Sequence, residues 1–255
     1  MRGGGNRLSS YNKGFTLAEV LITLGIIGIV AAMTMPSLIQ KHQDKETVAR
    51  LKKAYSVLSQ AYILAKEEYG PYSDWGITTS MSTPESHIIF ANKMKKYMNL
   101  SQDCVGLPEE QVVAKCTKHG SEITNKATVM LSDGTAVFFR SWSGSCSHNY
   151  SLNGNKSLKT VCGAISVLLK PNKKNVLTGR DYFSFYMTKD GVIPYGVQDD
   201  QHTFAIGCNR NASSLSYPNF SSNNMFTCTA WVIFNENMDY WYCDGLDWNG
   251  KIKCK

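Results

Sequence analysis

The chain has 255 residues, of which 43% are hydrophobic and 18% are charged, and its formal net charge is +7 at pH 7. This length and composition suit one good-sized globular domain or two small ones and exclude wholesale disorder. A positive charge of this size usually serves solubility, so we expect no nucleic-acid binding.

The first 14 residues are polar and glycine-rich, and they contain Arg2, Arg7 and Lys13 but no acidic residue. We predict that residues 1–14 form a basic leader without a fold of its own. Basic residues tend to stay on the cytoplasmic side of a membrane, so the C-terminal bulk of a membrane-spanning chain would lie on the far side.

An apolar segment of 25 residues runs from Phe15 to Ile39 and contains a single charge, on Glu19. About 20 apolar residues are enough to cross the ~30 Å hydrocarbon core of a bilayer as a helix. A carboxylate in such a segment is costly and usually has a function and a partner. Glu19 is therefore a candidate functional residue, unless it lies at the membrane edge and points into water.

The sequence Gly-Phe-Thr-Leu-Ala-Glu-Val-Leu begins at Gly14, directly behind the basic leader. This segment resembles the N-terminus of type IV pilins and type II secretion pseudopilins. The resemblance implies that a prepilin peptidase cuts between Gly14 and Phe15 and methylates the new N-terminal Phe15. It also implies that Glu19 is compensated by the Phe15 amine of a neighbouring subunit during assembly. Pro36 matches the proline that this family often has midway along the helix.

The same resemblance implies a structural subunit of a type IV pilus-like or type II secretion pseudopilus filament. Its partners would be the prepilin peptidase, other pilin or pseudopilin subunits and the inner membrane. The precursor would cross the inner (cytoplasmic) membrane once, with its C-terminal domain outside the cytoplasm, before joining a periplasmic or extracellular filament. Two other interpretations stay open. One is a secretory signal cleaved after Ala32, against which the acidic Glu19 argues, and the other is an unprocessed membrane anchor.

Apolar residues recur every three or four positions between Val48 and Tyr69. This spacing is typical of an amphipathic helix, and Gly70-Pro71 would end it. We predict one long helix over residues 15–69, with 15–39 as the membrane or filament-core part and 40–69 as the amphipathic part. The apolar stripe could form a coiled-coil seam, but packing on the chain's own sheet fits it better because the heptads are not sustained.

Pro36 lies inside this predicted helix. Proline lacks a backbone donor and clashes with the preceding turn, so we expect it to kink or locally melt the helix. Gly25 and Gly28 would let neighbouring helices approach closely.

Residues 70–255 are predicted to form an exported globular domain. Its predicted elements are helical character over Pro84–Leu100, a loop-rich insert over Cys104–Cys116, hairpins with turns at Asp133-Gly134 and Asp190-Gly191, a strand over Ala164–Leu169 and a last strand over Thr229–Phe234. The expected fold class is α+β. A long N-terminal helix, transmembrane and then amphipathic, packs on a C-terminal antiparallel β-sheet domain with disulfide-bounded loops, as in pilin-like proteins.

All eight cysteines follow the apolar segment: Cys104, Cys116, Cys146, Cys162, Cys208, Cys228, Cys243 and Cys254. An even number in an exported region indicates disulfides. The simplest connectivity pairs them in sequence order, although eight cysteines allow about 105 pairings.

The sequence contains no Cys-x-x-Cys pair, phosphate-binding glycine loop or Gly-x-Ser-x-Gly elbow, so we expect neither enzymatic activity nor a cofactor. One acidic loop is a candidate calcium site, because Asp244, Asp247 and Asn249 offer closely spaced oxygen ligands. Some pseudopilins that resemble this chain bind calcium in a C-terminal loop. Residues of this kind more often form plain turns.

The tail is rich in aromatic residues, namely Trp231, Tyr240, Trp241, Tyr242 and Trp248. They could form an adhesion patch, but such residues more often pack in a core. The alternative function is a binding module on a pilin-like stem, either an adhesin or a DNA-uptake tip. A glycan or DNA pull-down would discriminate it from a filament subunit.

Overall fold

The structure is a computed structural model that describes residues 14–77, 82–118, 126–208 and 225–254. Residues 1–13, 78–81, 119–125 and 209–224 and Lys255 lie outside the described part. The chain divides into two compact units, Met1–Gln43 and Asp44–Lys255. They are called the N-terminal unit and the C-terminal unit below, and each is described by itself.

The longest element is helix α1, Leu17–Tyr69. The helix predicted over residues 15–69 is thus confirmed except for its first two residues. It ends at Gly70, whose φ of +77° lies in the left-handed region that glycine adopts at low cost. The helix continues through Pro36 without a break. Of the two effects expected from this proline, local melting therefore does not occur.

The C-terminal unit is built on a six-stranded antiparallel sheet. Its strands are β1 (Leu100–Asp103), β2 (Thr128–Leu131), β3 (Ala136–Ser141), β4 (Val161–Leu168), β5 (Tyr182–Thr188) and β6 (Val192–Pro194). The strands follow one another in sequence order, so each pairs with its neighbours along the chain. Both predicted hairpins are confirmed, as β2–β3 and β5–β6.

One face of the sheet is covered by the amphipathic part of α1. The side chains of Leu51, Leu58 and Ala65 are fully buried in the core of the C-terminal unit. The ring of Tyr55 stacks on that of Phe185 in β5, with centroids 5.5 Å apart. The apolar stripe therefore packs on the chain's own sheet, as predicted, and does not form a coiled-coil seam.

Helix α2, Pro84–Lys95, packs beside α1 on the same face. The Thr83 side chain caps it by accepting a hydrogen bond from the Ser86 N–H at 3.2 Å. Its Phe90 meets Phe139 of β3 edge to face, with ring centroids 5.3 Å apart. The sequence predicts helical character up to Leu100, but the helix ends at Lys95, and Leu100 is the first residue of β1.

Four disulfides join the cysteines in sequence order, as predicted: Cys104–Cys116, Cys146–Cys162, Cys208–Cys228 and Cys243–Cys254. The first of them encloses helix α3, Glu109–Lys115, where the sequence predicts only loop. Val112 of this helix packs on the disulfide, which gives the insert a small core of its own.

The predicted strand over Thr229–Phe234 is wrong. These residues lie in helix α5, Cys228–Asn235, which follows the short helix α4, Phe204–Gly207. A short continuous apolar run does not distinguish a buried strand from a buried helix by its periodicity. The packing partner decides here, because Trp231 stacks on Phe204 with ring centroids 4.0 Å apart.

Candidate functional site

The N-terminal unit presents a largely apolar surface. Among the described helices, α1 alone is long and apolar enough to cross a membrane. Large apolar side chains around the whole helix are exposed: Phe15, Leu17, Val20, Leu21, Ile22, Leu24, Ile26, Ile27, Ile29, Val30, Met33, Met35, Leu38 and Ile39. A helix that is apolar all round needs lipid or other protein around it.

Glu19 lies at the start of α1 and bonds to Thr16. Its carboxylate accepts hydrogen bonds from the Thr16 N–H at 2.8 Å and from the Thr16 hydroxyl at 2.9 Å. In return, the Glu19 N–H donates to the Thr16 hydroxyl oxygen at 3.2 Å. This reciprocal pair is a capping box, which satisfies backbone donors that the first turn of a helix leaves without partners.

Gly14 and Phe15 precede this capping box and lie outside the helix. Gly14 is exposed, and a Cβ atom built on it would meet nothing within 4 Å. The Phe15 side chain is 89% exposed. The peptide bond predicted as the cleavage site therefore lies in exposed chain outside the helix.

Pro36 lies seventeen positions beyond Glu19 and belongs to a different part of α1. The hydroxyls on either side of it bond to backbone carbonyls of the preceding turn. Thr34 donates to the Val30 carbonyl at 2.9 Å, and Ser37 donates to the Thr34 carbonyl at 2.9 Å. Bonds of this kind are common for Ser and Thr side chains within a helix.

The predicted calcium loop is held by its own hydrogen bonds. The Asp247 carboxylate accepts the Asn249 N–H at 2.7 Å, and Lys251 donates from Nζ to the Asp244 carbonyl oxygen at 3.1 Å. An ammonium group in the loop repels a divalent cation, so these contacts fit a turn and fit calcium poorly. In the described part of the chain, no group of three or more His, Cys, Asp or Glu could hold a metal. Calcium binding at Asp244, Asp247 and Asn249 stays a prediction.

The aromatic residues of the tail belong mainly to the core, as the sequence favours. Trp231 and Tyr240 are buried, and Trp241 and Trp248 are partly buried against the same cluster. Tyr240 donates from its hydroxyl to the Gly179 carbonyl at 2.6 Å, which ties the tail to the loop before β5. Most of the suspected adhesion patch is therefore structural.

A buried carboxylate that the sequence does not reveal lies on the other face of the sheet. Asp200 is fully buried and accepts hydrogen bonds from the Tyr186 hydroxyl at 2.9 Å, the Gly196 N–H at 3.0 Å and the His202 N–H at 2.9 Å. Three donors at ordinary distances explain this carboxylate as an anchor for the turn after β6. Sequence analysis also missed the role of Thr16, although the spacing Thr-x-x-Glu signals a capping box.

Comparisons with known proteins agree with the geometry of the N-terminal unit. Residues 9–35 match the model of the prokaryotic N-terminal methylation motif. A 72-residue stretch is 31% identical to the type IV major pilin protein PilA of Myxococcus xanthus (strain DK1622), and it covers 27% of this chain and 32% of that protein. The chain thus spans about a third of the length of this curated relative.

No solved structure matches the chain. The methylation motif and the pilin relative make it a type IV pilin-like protein. Residues 37–237, more than three quarters of the chain, match the model described as a family of unknown function (DUF6613), and the chain belongs to that family.

Proposed function

We propose that this chain is a structural subunit of a type IV pilus or of a type II secretion pseudopilus, assembled through its N-terminal helix. The observation that carries the proposal is the exposed apolar surface over Phe15–Ile39, most of which lies within the residues that match the methylation motif. Other pilin or pseudopilin subunits would cover this surface in the filament.

The precursor would first be held in the inner membrane by residues 15–39, with residues 70–255 outside the cytoplasm. Lipid tails solvate apolar side chains as well as a protein core does, so transfer from bilayer to filament must gain free energy from close packing and polar pairing. Gly25 and Gly28 would favour close packing, because glycine has no side chain and neighbouring backbones could approach there. Glu19 would provide the polar pairing.

A prepilin peptidase would cut the precursor between Gly14 and Phe15 and methylate the Phe15 amine. The exposed, non-helical chain at these two residues supports this step. Cleavage would leave residues 15–69 as the helical stem of the mature subunit and would create the cation that Glu19 needs.

The test is the intact mass and N-terminal sequence of the chain from membranes of cells that express a prepilin peptidase. We expect a chain that starts at Phe15 and is heavier by one methyl group. Gly14→Ala should remain uncut, because the extra methyl group lies beside the scissile bond. Gly28→Ala is the matched control and should be cut normally, since it makes the same change inside the helix.

Two results would contradict the proposal. A chain that starts at Met33 would be an ordinary secreted protein, because that start follows cleavage after Ala32. A chain that keeps its leader in the presence of an active peptidase would be a plain membrane anchor.

A further inference from the structure

The loop between β4 and β5, residues 169–181, is attached to the first turns of the C-terminal unit by ion pairs. Lys170 Nζ lies 3.3 Å from Glu46 Oε2, and Arg180 Nη2 lies 2.8 Å from Asp44 Oδ1. Within the loop, Lys173 Nζ lies 2.6 Å from Asp181 Oδ2. Lys170 and Arg180 thus lie against the part of α1 that contains Asp44 and Glu46, and Lys173 belongs to the same loop.

The cluster holds more basic than acidic side chains. The side chains of Asp44, Asp181 and Glu46 are 14%, 4% and 40% exposed, and those of Lys170, Lys173 and Arg180 are 30%, 37% and 19% exposed. Two further lysines, Lys45 and Lys174, are exposed. We call Lys45, Lys170, Lys173, Lys174 and Arg180 the basic face. Its five bases exceed the three acids that pair with it, so its outward charge is positive.

The basic face lies close, along the chain, to the segment that is long and apolar enough to span a membrane. Lys45 follows Ile39, the last residue of the apolar segment, by six positions. A basic residue held near an anionic membrane surface is attracted to it, and this attraction is screened by salt. The charge and the chain position together point to a lipid surface as the partner.

We propose that the basic face binds the headgroups of anionic phospholipids while the chain is anchored in the membrane. This inference rests on the proposed function, because it needs residues 15–39 to be in a bilayer. The interaction holds the loop between β4 and β5 against the membrane surface before assembly, and the chain loses it on leaving the bilayer.

The test uses the full chain reconstituted in vesicles, with Trp241 as the reporter. The Arg180 guanidinium lies 5.4 Å from the centre of the Trp241 ring, so this indole belongs to the basic face. We would measure its quenching by a lipid with a nitroxide on its headgroup, in phosphatidylcholine vesicles with and without phosphatidylglycerol. Trp241→Phe supplies the background from the other four tryptophans.

We expect quenching to rise when phosphatidylglycerol is added and to fall again at high salt. In the double variant Lys45→Gln/Lys174→Gln, the ratio of headgroup-bound to unbound loop should fall roughly tenfold or more, and quenching should fall with it, since two basic residues are lost. Neither lysine forms an ion pair among the described residues, so the folded contacts stay intact. Lys156→Gln/Lys159→Gln, an equal loss of charge in the exposed segment before β4, should behave like the wild type.

Equal quenching in neutral and anionic vesicles, or equal quenching of the two double variants, would overturn the inference alone. A chain that does not insert even into neutral vesicles would overturn the proposed function as well. Amide exchange of residues 170–181 gives a second measurement that needs no substitution at Trp241. Exchange there should slow when phosphatidylglycerol is added, and an unchanged rate contradicts the inference.

Discussion

At the residue scale, the observed role of Glu19 in the capping box and the assembly role that we propose for it differ in what they require. The capping box with Thr16 needs only an acceptor, which a glutamine also provides. Pairing with the amine of a neighbouring Phe15, which we propose for assembly, needs the negative charge. The two roles can therefore be separated by substitution.

We predict that Glu19→Ala and Glu19→Gln both impair filament incorporation while the C-terminal unit stays folded. Incorporation is measured by the amount of subunit in sheared filaments, and folding by near-UV circular dichroism. Thr16→Ala is the control, because it weakens the cap and keeps the charge, so it should assemble better than either Glu19 variant. Normal incorporation of Glu19→Gln would show that Glu19 serves the cap and not the pairing.

His87 joins α2 to the end of β3. It is only 2% exposed, and its Nδ1 accepts a hydrogen bond from the Ser141 N–H at 3.0 Å. Burial, assisted by the nearby charge of Arg140, lowers the pKa of His87 from 6.5 to about 4. The neutral ring is therefore part of the folded structure.

Acidification should destabilise the C-terminal unit through His87. Between pH 6.5 and about 4 the unfolded chain binds a proton on His87 that the folded chain does not bind. The free energy of unfolding should therefore fall with decreasing pH by up to about 1.4 kcal/mol per pH unit. Denaturant unfolding of the wild type and of His87→Gln across this range isolates the effect from that of the carboxylates. Parallel pH profiles of the two proteins would refute it.

At the element scale, α1 has two surfaces within the C-terminal unit. Leu58 is fully buried against the sheet, whereas Leu64 is 44% exposed on the same helix. Leu58→Ala should lower the free energy of unfolding by about 2–5 kcal/mol, because it removes apolar burial and leaves a cavity. Leu64→Ala should cost much less, since surface substitutions usually stay within about 0.5 kcal/mol. Chemical denaturation measures both, and equal losses would contradict the packing of α1 described above.

The elements with strong local signals were predictable. The hairpin turn at Gly134, whose φ is +81°, follows from Asp-Gly between two apolar runs. The stripe from Val48 to Tyr69 follows from its spacing of three and four residues. Helix α5 was not predictable in this way, because its residues are apolar on every side and its packing on Phe204 involves a distant part of the chain.

At the scale of the whole molecule, the two units obtain their stability from different sources. The C-terminal unit has a continuous core between α1, α2 and the sheet, and four disulfides cross-link the unit. The N-terminal unit exposes nearly all of its apolar side chains. Its stability therefore depends on lipid or on other subunits, which agrees with a filament component that is first anchored in a membrane.

The sequence by itself determined the character of the N-terminal segment and the class of the fold, and it offered pairing in sequence order as the simplest of many cysteine connectivities. These features depend on residues that are close in the chain, such as the run from Gly14 to Glu19 and cysteines 11 to 20 positions apart. Only the tertiary structure decided that Thr229–Phe234 is helical and that Asp200 is buried among three donors. It also decided that Lys170 and Arg180, from the loop between β4 and β5, pair with Glu46 and Asp44 of α1. Each of these outcomes depends on partners distant in the chain or on packing, which local periodicity does not encode.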